Sequence, residues 1–481
     1  MKARLELKAW VRRVVALPCL LVATPLAAEP AESAPAEALS VVVPPAVAPL
    51  APPAEPPLLW FRLANGLEVV VEENRRQPEV AIVVAYGVGS RDDPRGYAQL
   101  AHLVEHMTFR GSRHLKEGLS WTSLQRAGAR ELGGQTSPDF TEYFSVVPAS
   151  AFDFVLFAER ERMAFSLENF TERSFRLEQS IVRNEGQLRP REFVGHVARA
   201  WFGSDDPYAR AWSGLGDLDA IGLSDAQWFY QANYRPDNAR LIVVGDVDAA
   251  GASAAIARYF GSVVALANST ARAYQRGVGS DVDRVVAESP STRELLTIVW
   301  PAPRASLREQ VILELFRRVL SERLQLALDF RRLLSSEISV ELNQLAFAST
   351  FQLSVVLSDR GSHERVEAVI REEFAHMQRA DLSQELARAK AAAYFEQLEN
   401  SERPRARAEQ HLQSLLFFRR PSSGRERLEL IQSISASELR RPVQVLLSER
   451  RLVAAQMKAD ANLLWPWRLR MHEPKRGWYE P

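Results

Sequence analysis

Residues 101–111 read AHLVEHMTFRG. Plotted at about 100° per residue, Leu100, Leu103, Val104 and Met107 fall on one side, the core-facing stripe of an amphipathic helix. His102, Glu105 and His106 gather on nearly the opposite side, and Gly111 is placed to end the helix. Two imidazoles four residues apart on one face can chelate one metal ion. A carboxylate beside them can hold and deprotonate a water there. The same pattern also fits a solvated helix face with two incidental histidines, so a third ligand is the test.

The stretch TERSFRLEQSIVRNEGQL, residues 171–188, supplies a candidate. It reads as a helix with Phe175, Ile181 and Val182 on its apolar face. Glu178 and Glu185 stand in the middle of that face. Glutamate is rarely buried unless paired or coordinated, and a metal held by two histidines would be such a partner. The other reading is an exposed helix whose face is only partly covered.

Outward from these helices, strands and helices mix in both halves of the chain. LWFRLANGLEVVVEEN has alternating apolar residues around Asn65-Gly66, a hairpin signal. EVAIVVAYGVGS reads as a buried strand, PASAFDFVLFAERERMAFSL as a long helix, ARLIVVGDVD as a strand and AAGASAAIARYFGSV as a helix. The plan repeats weakly beyond Tyr274. LLTIVWPAP and ASTFQLSVVLS are strands, and EQVILELFRRVLSERLQLALDF, ERVEAVIREEFAHMQ and SQELARAKAAAYFEQLEN are helices. The expectation is two α/β or α+β domains of similar size, over 58–270 and 271–481.

The 481 residues are 46% hydrophobic and 25% charged, as expected for a globular chain with a sizeable core. Sixty basic residues cancel sixty acidic ones, which gives no support to nucleic-acid binding or to a membrane-surface patch. Residues 1–28 read as a signal peptide. A basic start precedes the apolar VVALPCLLVATPLAA, and Ala27-Ala28 suits cleavage; an uncleaved anchor is the alternative. This predicts a periplasmic or otherwise exported protein. Cleavage would remove Cys19, the sole cysteine, leaving no thiol chemistry. Residues 29–57, rich in proline and alanine, read as an extended tether.

His102-x-x-Glu105-His106, then 71 residues, Glu178, six residues and Glu185 resembles the signature of the pitrilysin/insulinase family of zinc peptidases with the inverted motif. VAYGVGSRDDPRGYAQLAHLVEHMTFRGS, WFGSDDPYARAWSG and YRPDNARLIVVGDVD are similar to family segments in family order. The resemblance implies an α+β fold of the α/β-sandwich type. Its two similar domains would each be a mostly antiparallel sheet packed with helices, together half of a clam-shell. It implies Zn2+ held by His102, His106 and Glu185. Glu105 would be the general base for peptide hydrolysis, and Glu178 would orient a ligand histidine. Short or unstructured peptides would be the substrates.

Two departures stand out. Family members carry Asn-Ala-x-Thr on an edge strand that pairs with substrate. Here Gly133, Gly134, Gln135 and Thr136 occupy that place, so the asparagine is lost and the edge is expected to be flexible, while pairing by the backbone alone could survive. Thr136, Thr141 and Tyr143 still fit. In the second half the family places an Arg and a Tyr, seven apart, that reach the substrate. Aligning SERLQLALDFRRLLSSEISV on Arg323-Leu324 puts Asp329 and Ser336 there, with Arg331 and Arg332 out of phase. The chain thus resembles the zinc-bearing subunit of two-chain members, and a paralogous partner subunit would supply the missing pair. A homodimer or a chain active alone is the other arrangement. A non-catalytic structural subunit is the alternative function, although such subunits usually lose ligands that are kept here. His114, His196, His363, His376, His411 and His472 read as isolated, with no second ligand set.

Overall fold

The Asn65-Gly66 turn joins β1 (Leu58–Arg62) to β2 (Glu68–Glu73), paired antiparallel from Leu58↔Glu72 to Arg62↔Glu68. Gly66 has φ +91°, where a side chain would be strained. The Asn65 amide fixes the turn by donating to the carbonyls of Phe260 and Val263. The structure is a computed structural model. It describes residues 54–472 except 117–118, 169, 189–191, 213–217, 265–282, 290–293, 303–305, 360, 449–450 and 459–468. The expected signal peptide and most of the tether lie outside the described residues.

The first half continues with β3 (Glu79–Tyr86), α1 (Leu100–Thr108), α2 (Leu119–Arg126), β4 (Glu131–Thr136) and β5 (Thr141–Pro148). Then come α3 (Phe152–Phe165), α4 (Glu172–Leu188), α5 (Glu192–Phe202), α6 (Pro207–Ala211), α7 (Leu223–Asn233), β6 (Ala239–Gly245) and α8 (Ala249–Phe260). The second half holds β7 (Arg284–Ser289), β8 (Leu295–Pro301) and α9 (Leu307–Leu324), which runs into a π-helical turn at Gln325–Phe330. It continues with β9 (Ser335–Asn343), β10 (Thr350–Leu357), α10 (His363–Arg379), α11 (Ser383–Glu402), α12 (Pro404–Phe418), α13 (Gly424–Ser433), α14 (Ala436–Ser448), β11 (Leu452–Lys458) and β12 (Leu469–His472).

The strands make two six-stranded sheets, ordered β1-β2-β6-β3-β5-β4 and β12-β7-β11-β8-β10-β9. In each, one neighbouring pair is parallel, β2 with β6 and β7 with β11, and the others are antiparallel. Strands β2 to β6 therefore map in order onto β7 to β11, and only the outer strand differs. The weak sequence repeat is a clear repeat in topology, and the mixed, mostly antiparallel architecture is the one the family resemblance implies.

A helix from each half covers the other half's sheet. In α12, Ala408, Leu412 and Leu415 pack on Val70, Ala81, Val83, Val146, Ile242 and Val244 of the first sheet. In α5, Phe193, Val197 and Ala200 pack on Val285, Ala287, Val299, Leu452 and Ala454 of the second. With both faces of the central strands buried, β3 and β6 read as continuous apolar runs rather than alternating ones.

Candidate metal-binding site

Helix α1 is set in place by a buried carboxylate. Asp93 accepts the backbone N–H groups of Gln99 (2.9 Å) and Ala101 (2.8 Å), so it caps a helix start that has no side-chain cap of its own. Gln99 takes a left-handed φ of 76°, a strained conformation for a side-chain-bearing residue. Leu100, Leu103, Val104 and Met107 are fully buried, as their spacing predicts. The helix ends earlier than Gly111, at Thr108. Phe109 and Arg110 close it by donating back to the carbonyls of His106 and Met107, so Gly111 is not the terminator.

The polar face of α1 meets α4. His102 Nε2 and His106 Nε2 each lie 3.6 Å from Glu185 Oε2. The three residues offer ligand atoms that lie within 4.8 Å of one another, the one such grouping among the described residues. The rings stand nearly perpendicular, 83° apart. Their other nitrogens are occupied. His102 Nδ1 is 3.2 Å from Gln99 Oε1, and His106 Nδ1 is 3.4 Å from Glu178 Oε2. Such contacts fix ring orientation and leave the Nε2 lone pairs directed at the common point. Glu178 is 3% exposed and also receives Arg110. Glu185 departs from the core-face expectation. Its side chain is 49% exposed, because the buried face of α4 passes through Phe175, Glu178 and Val182 and leaves Glu185 on the open side.

This donor set fits zinc. Two imidazoles and one carboxylate are a catalytic zinc complement that leaves a position open. Burial disfavours charge on His106, but the Glu178 hydrogen bond and the carboxylates of Glu105 and Glu185 outweigh it and raise its proton affinity.

Glu105 is 6% exposed and points at the edge strand β4. Its Oε2 accepts the Thr136 hydroxyl at 2.7 Å. Burial raises its proton affinity, against the Thr136 hydrogen bond and the nearby His106. The glycines of β4 do more than loosen it. A Cβ on Gly134 would stand 2.8 Å from Glu105 Oε1 and 2.9 Å from the Phe109 ring, and one on Gly133 would stand 2.6 Å from the Phe144 ring. Their absence lets the strand close on α1. Gly133–Thr136 thus lie beside Glu105 on a strand that, among the described residues, is paired on one edge only.

Some supporting residues have no signature in sequence spacing. The Thr108 hydroxyl donates to the Glu105 carbonyl and lies 3.0 Å from the hydroxyl of Tyr143, which in turn meets that of Tyr234 at 2.7 Å. The Arg162 guanidinium lies 4.1 Å over the Tyr143 ring and pairs with buried Glu159 at 3.2 Å. Gln99, Arg162 and Tyr234 are found only once the helices are packed. In the second half Asp329 lies in the π turn and Ser336 on β9. Arg331 is exposed, and Arg332 is taken by Glu372 at 2.9 Å.

The model of Insulinase (Peptidase family M16) matches residues 68–185, from β2 through the last candidate ligand. That of the Peptidase M16 inactive domain matches residues 220–393. The chain belongs to this insulinase family of peptidases. It is 29% identical over 269 residues to zinc protease PqqE of Helicobacter pylori, an alignment covering 54% of this chain and 60% of that protein. A crystal structure of a protease from Helicobacter pylori superposes with TM-score 0.77 at 22% identity, covering 84% of this chain and all of the other. The periplasmic protease PqqL from Escherichia coli superposes with TM-score 0.69 at 18% identity, over 85% of this chain but 48% of that one. The match spans 60% of the length of PqqE and 48% of PqqL. Among the described residues no helix is long and apolar enough to cross a membrane.

Proposed function

We propose that the chain is a zinc-dependent endopeptidase for short or unstructured peptides, working as the catalytic subunit of a heterodimer. The observation that carries this is the convergence of His102, His106 and Glu185 on one point, with Glu105 beside them and an open strand edge alongside. Bound zinc would polarise the scissile carbonyl and make water a stronger nucleophile at neutral pH. Gln99 and Glu178 hold the two imidazoles in the ligating orientation. Thr136 holds one oxygen of Glu105, leaving the other to take a proton from the attacking water and return it to the departing amine. The free edge of β4 pairs with an extended peptide backbone, which selects unfolded substrates.

The heterodimer rests on what the second half lacks. Asp329 and Ser336 stand where the family resemblance puts Arg and Tyr, and an aspartate repels an oxyanion that an arginine would stabilise. Export to the periplasm accords with the superposable periplasmic protease PqqL and with the apolar N-terminal stretch.

The test is zinc-loaded chain from Glu29 onward, mixed with unstructured peptides with and without a co-encoded paralogue. Cleavage should need Glu105, vanish in Glu105→Gln and rise on adding the paralogue. Equal rates with and without it would remove the heterodimer and leave a self-sufficient peptidase.

A further inference from the structure

The tip of the β4–β5 hairpin is held by the second half of the molecule through one buried carboxylate. Asp139, in the turn 137–140, is 9% exposed. Its Oδ1 accepts the Tyr208 hydroxyl at 2.7 Å and ion-pairs with Arg91 Nε at 3.0 Å. Its Oδ2 accepts the backbone N–H of Ala346 at 2.9 Å. Ala346 lies in the β9–β10 turn, the topological counterpart of the turn that carries Asp139. Phe347 completes the joint. Its N–H donates to the Tyr208 hydroxyl at 3.3 Å, and its ring lies 4.6 Å under the Arg91 guanidinium. The same turn is stapled on its other side to 90–91, where Ser90 and Arg91 donate to the carbonyls of Ser137 and Pro138. That approach is close enough that a Cβ on Gly89 would meet the Ser137 oxygen at 2.2 Å.

We infer that Asp139 is a positioning residue, fixing edge strand β4 beside Glu105 by locking its hairpin tip to the second half. The physical case is one of leverage. Among the described residues β4 has a strand partner on one side only; it carries two adjacent glycines and meets Glu105 through Thr136 at its C-terminal end. That end leads straight into the locked turn. A strand so weakly held by its own side chains takes its position from its ends. A buried carboxylate with charged and neutral donors is a strong anchor, since hydrogen bonds to charged groups exceed neutral ones. The lock ties substrate geometry in one half to the seating of the other, which nothing at the metal ligands requires. Its bearing on substrate rests on the peptidase reading above, but its existence does not.

The experiment compares the parent chain with Asp139→Asn and with Tyr208→Phe, which is the gentler change should the first fold poorly. Backbone hydrogen exchange across 131–140 is read alongside peptide KM and kcat, zinc content and thermal midpoint. The expected result is exchange at least about tenfold faster in 131–140. KM should rise several-fold while kcat and zinc content stay close to the parent values, and the midpoint should fall by roughly a few degrees in Asp139→Asn and less in Tyr208→Phe. Unchanged exchange in both variants would overturn the lock. Faster exchange with unaltered KM would reduce Asp139 to a structural contact and overturn its positioning role. A parent chain that cleaves nothing, with or without a paralogue, would count against the peptidase reading alone, because exchange still decides the lock.

Discussion

At Gly134 any side chain would press on the Glu105 carboxylate and the Phe109 ring. Gly134→Val should push β4 outward, break the Thr136–Glu105 hydrogen bond and cut peptide turnover at least about tenfold, as expected when a reacting group is misplaced. Zinc content should be unchanged, because no ligand lies on β4. Kinetics with metal analysis on the same preparation checks both, and loss of zinc would show that the strand props the ligands as well. Glu178 contacts His106 Nδ1 at 3.4 Å, so if the proposed zinc site is right, Glu178→Gln should weaken zinc binding about 10–100-fold. Glu185→Gln removes a ligand outright and should weaken it further. Chelator competition ranks the two, and the reverse order would exchange their roles. That His102 and His106 share one face was legible because a helix puts i and i+4 on one side whatever surrounds it. The exposure of Glu185 was not, since a helical wheel cannot say which side of a face meets a neighbour. Nor could it be read that Gln99 takes a left-handed φ, because Asp93, six residues back, imposes it.

Helices α1 and α4 have counterparts in α9 and α11 at the same places in the topological repeat. In the first half the facing helices present His102, His106, Glu178 and Glu185. In the second they present ion pairs. Arg323 meets Glu385 at 2.8 Å, Arg388 meets Glu322 at 2.7 Å, and Arg318 meets Glu396. Arg323 also reaches Glu373 on α10 at 3.1 Å. A guanidinium occupies space and charge that a metal would otherwise take, so the repeated scaffold carries metal-binding geometry once and structural salt bridges once. Arg323 is 13% exposed, and its two carboxylate partners are nearly as covered. Removing it in Arg323→Ala leaves two carboxylates without their cation and should cost about 2–3 kcal/mol. Urea denaturation measures this, and a change within about 0.5 kcal/mol, as for ordinary surface sites, would mean the pairs are mere surface decoration. Strands β2, β3, β6, β8 and β10 and the long helices α3, α4, α9, α10 and α11 were readable from apolar runs and periodicity, whereas β5, β7, β9 and β11 were not read. The common order of the two halves was not legible, because a repeat fixed by hydrogen-bond topology leaves only a faint trace in side chains. The reciprocal helices α5 and α12 were missed for a related reason: their apolar faces are matched to a sheet from the other half.

Across the whole molecule, the halves are joined where β2 meets α12. Glu72 receives Arg407 at 2.8 Å and His411 Nε2 at 2.9 Å, with all three buried. His411 Nδ1 accepts the backbone N–H of Ser422 at 3.2 Å. Nδ1 therefore holds no proton, Nε2 donates to Glu72, and the imidazole is neutral. Adding a proton at Nδ1 would set two N–H groups against each other. Burial lowers the proton affinity of His411, and the positive charge of Arg407 adds to this, outweighing the pull of Glu72 and the more distant Glu55. Glu72 is held below its usual range because the His411 hydrogen bond and Arg407 more than offset its burial. The signs agree. Below about pH 6.5 the unfolded chain protonates His411 while the folded chain does not, so stability falls as pH falls. Lower still, the unfolded chain protonates Glu72 first and adds to the loss. The slope from His411 approaches at most about 1.4 kcal/mol per pH unit. His411→Gln keeps a donor for Glu72 but cannot titrate. It should lower stability at pH 8 and flatten the dependence between pH 7 and pH 5. Denaturant titrations of both proteins across that range decide the matter. A slope preserved in the variant would move the acid sensitivity away from His411, and the Glu72–Arg407 pair would then hold this junction without a titrating histidine.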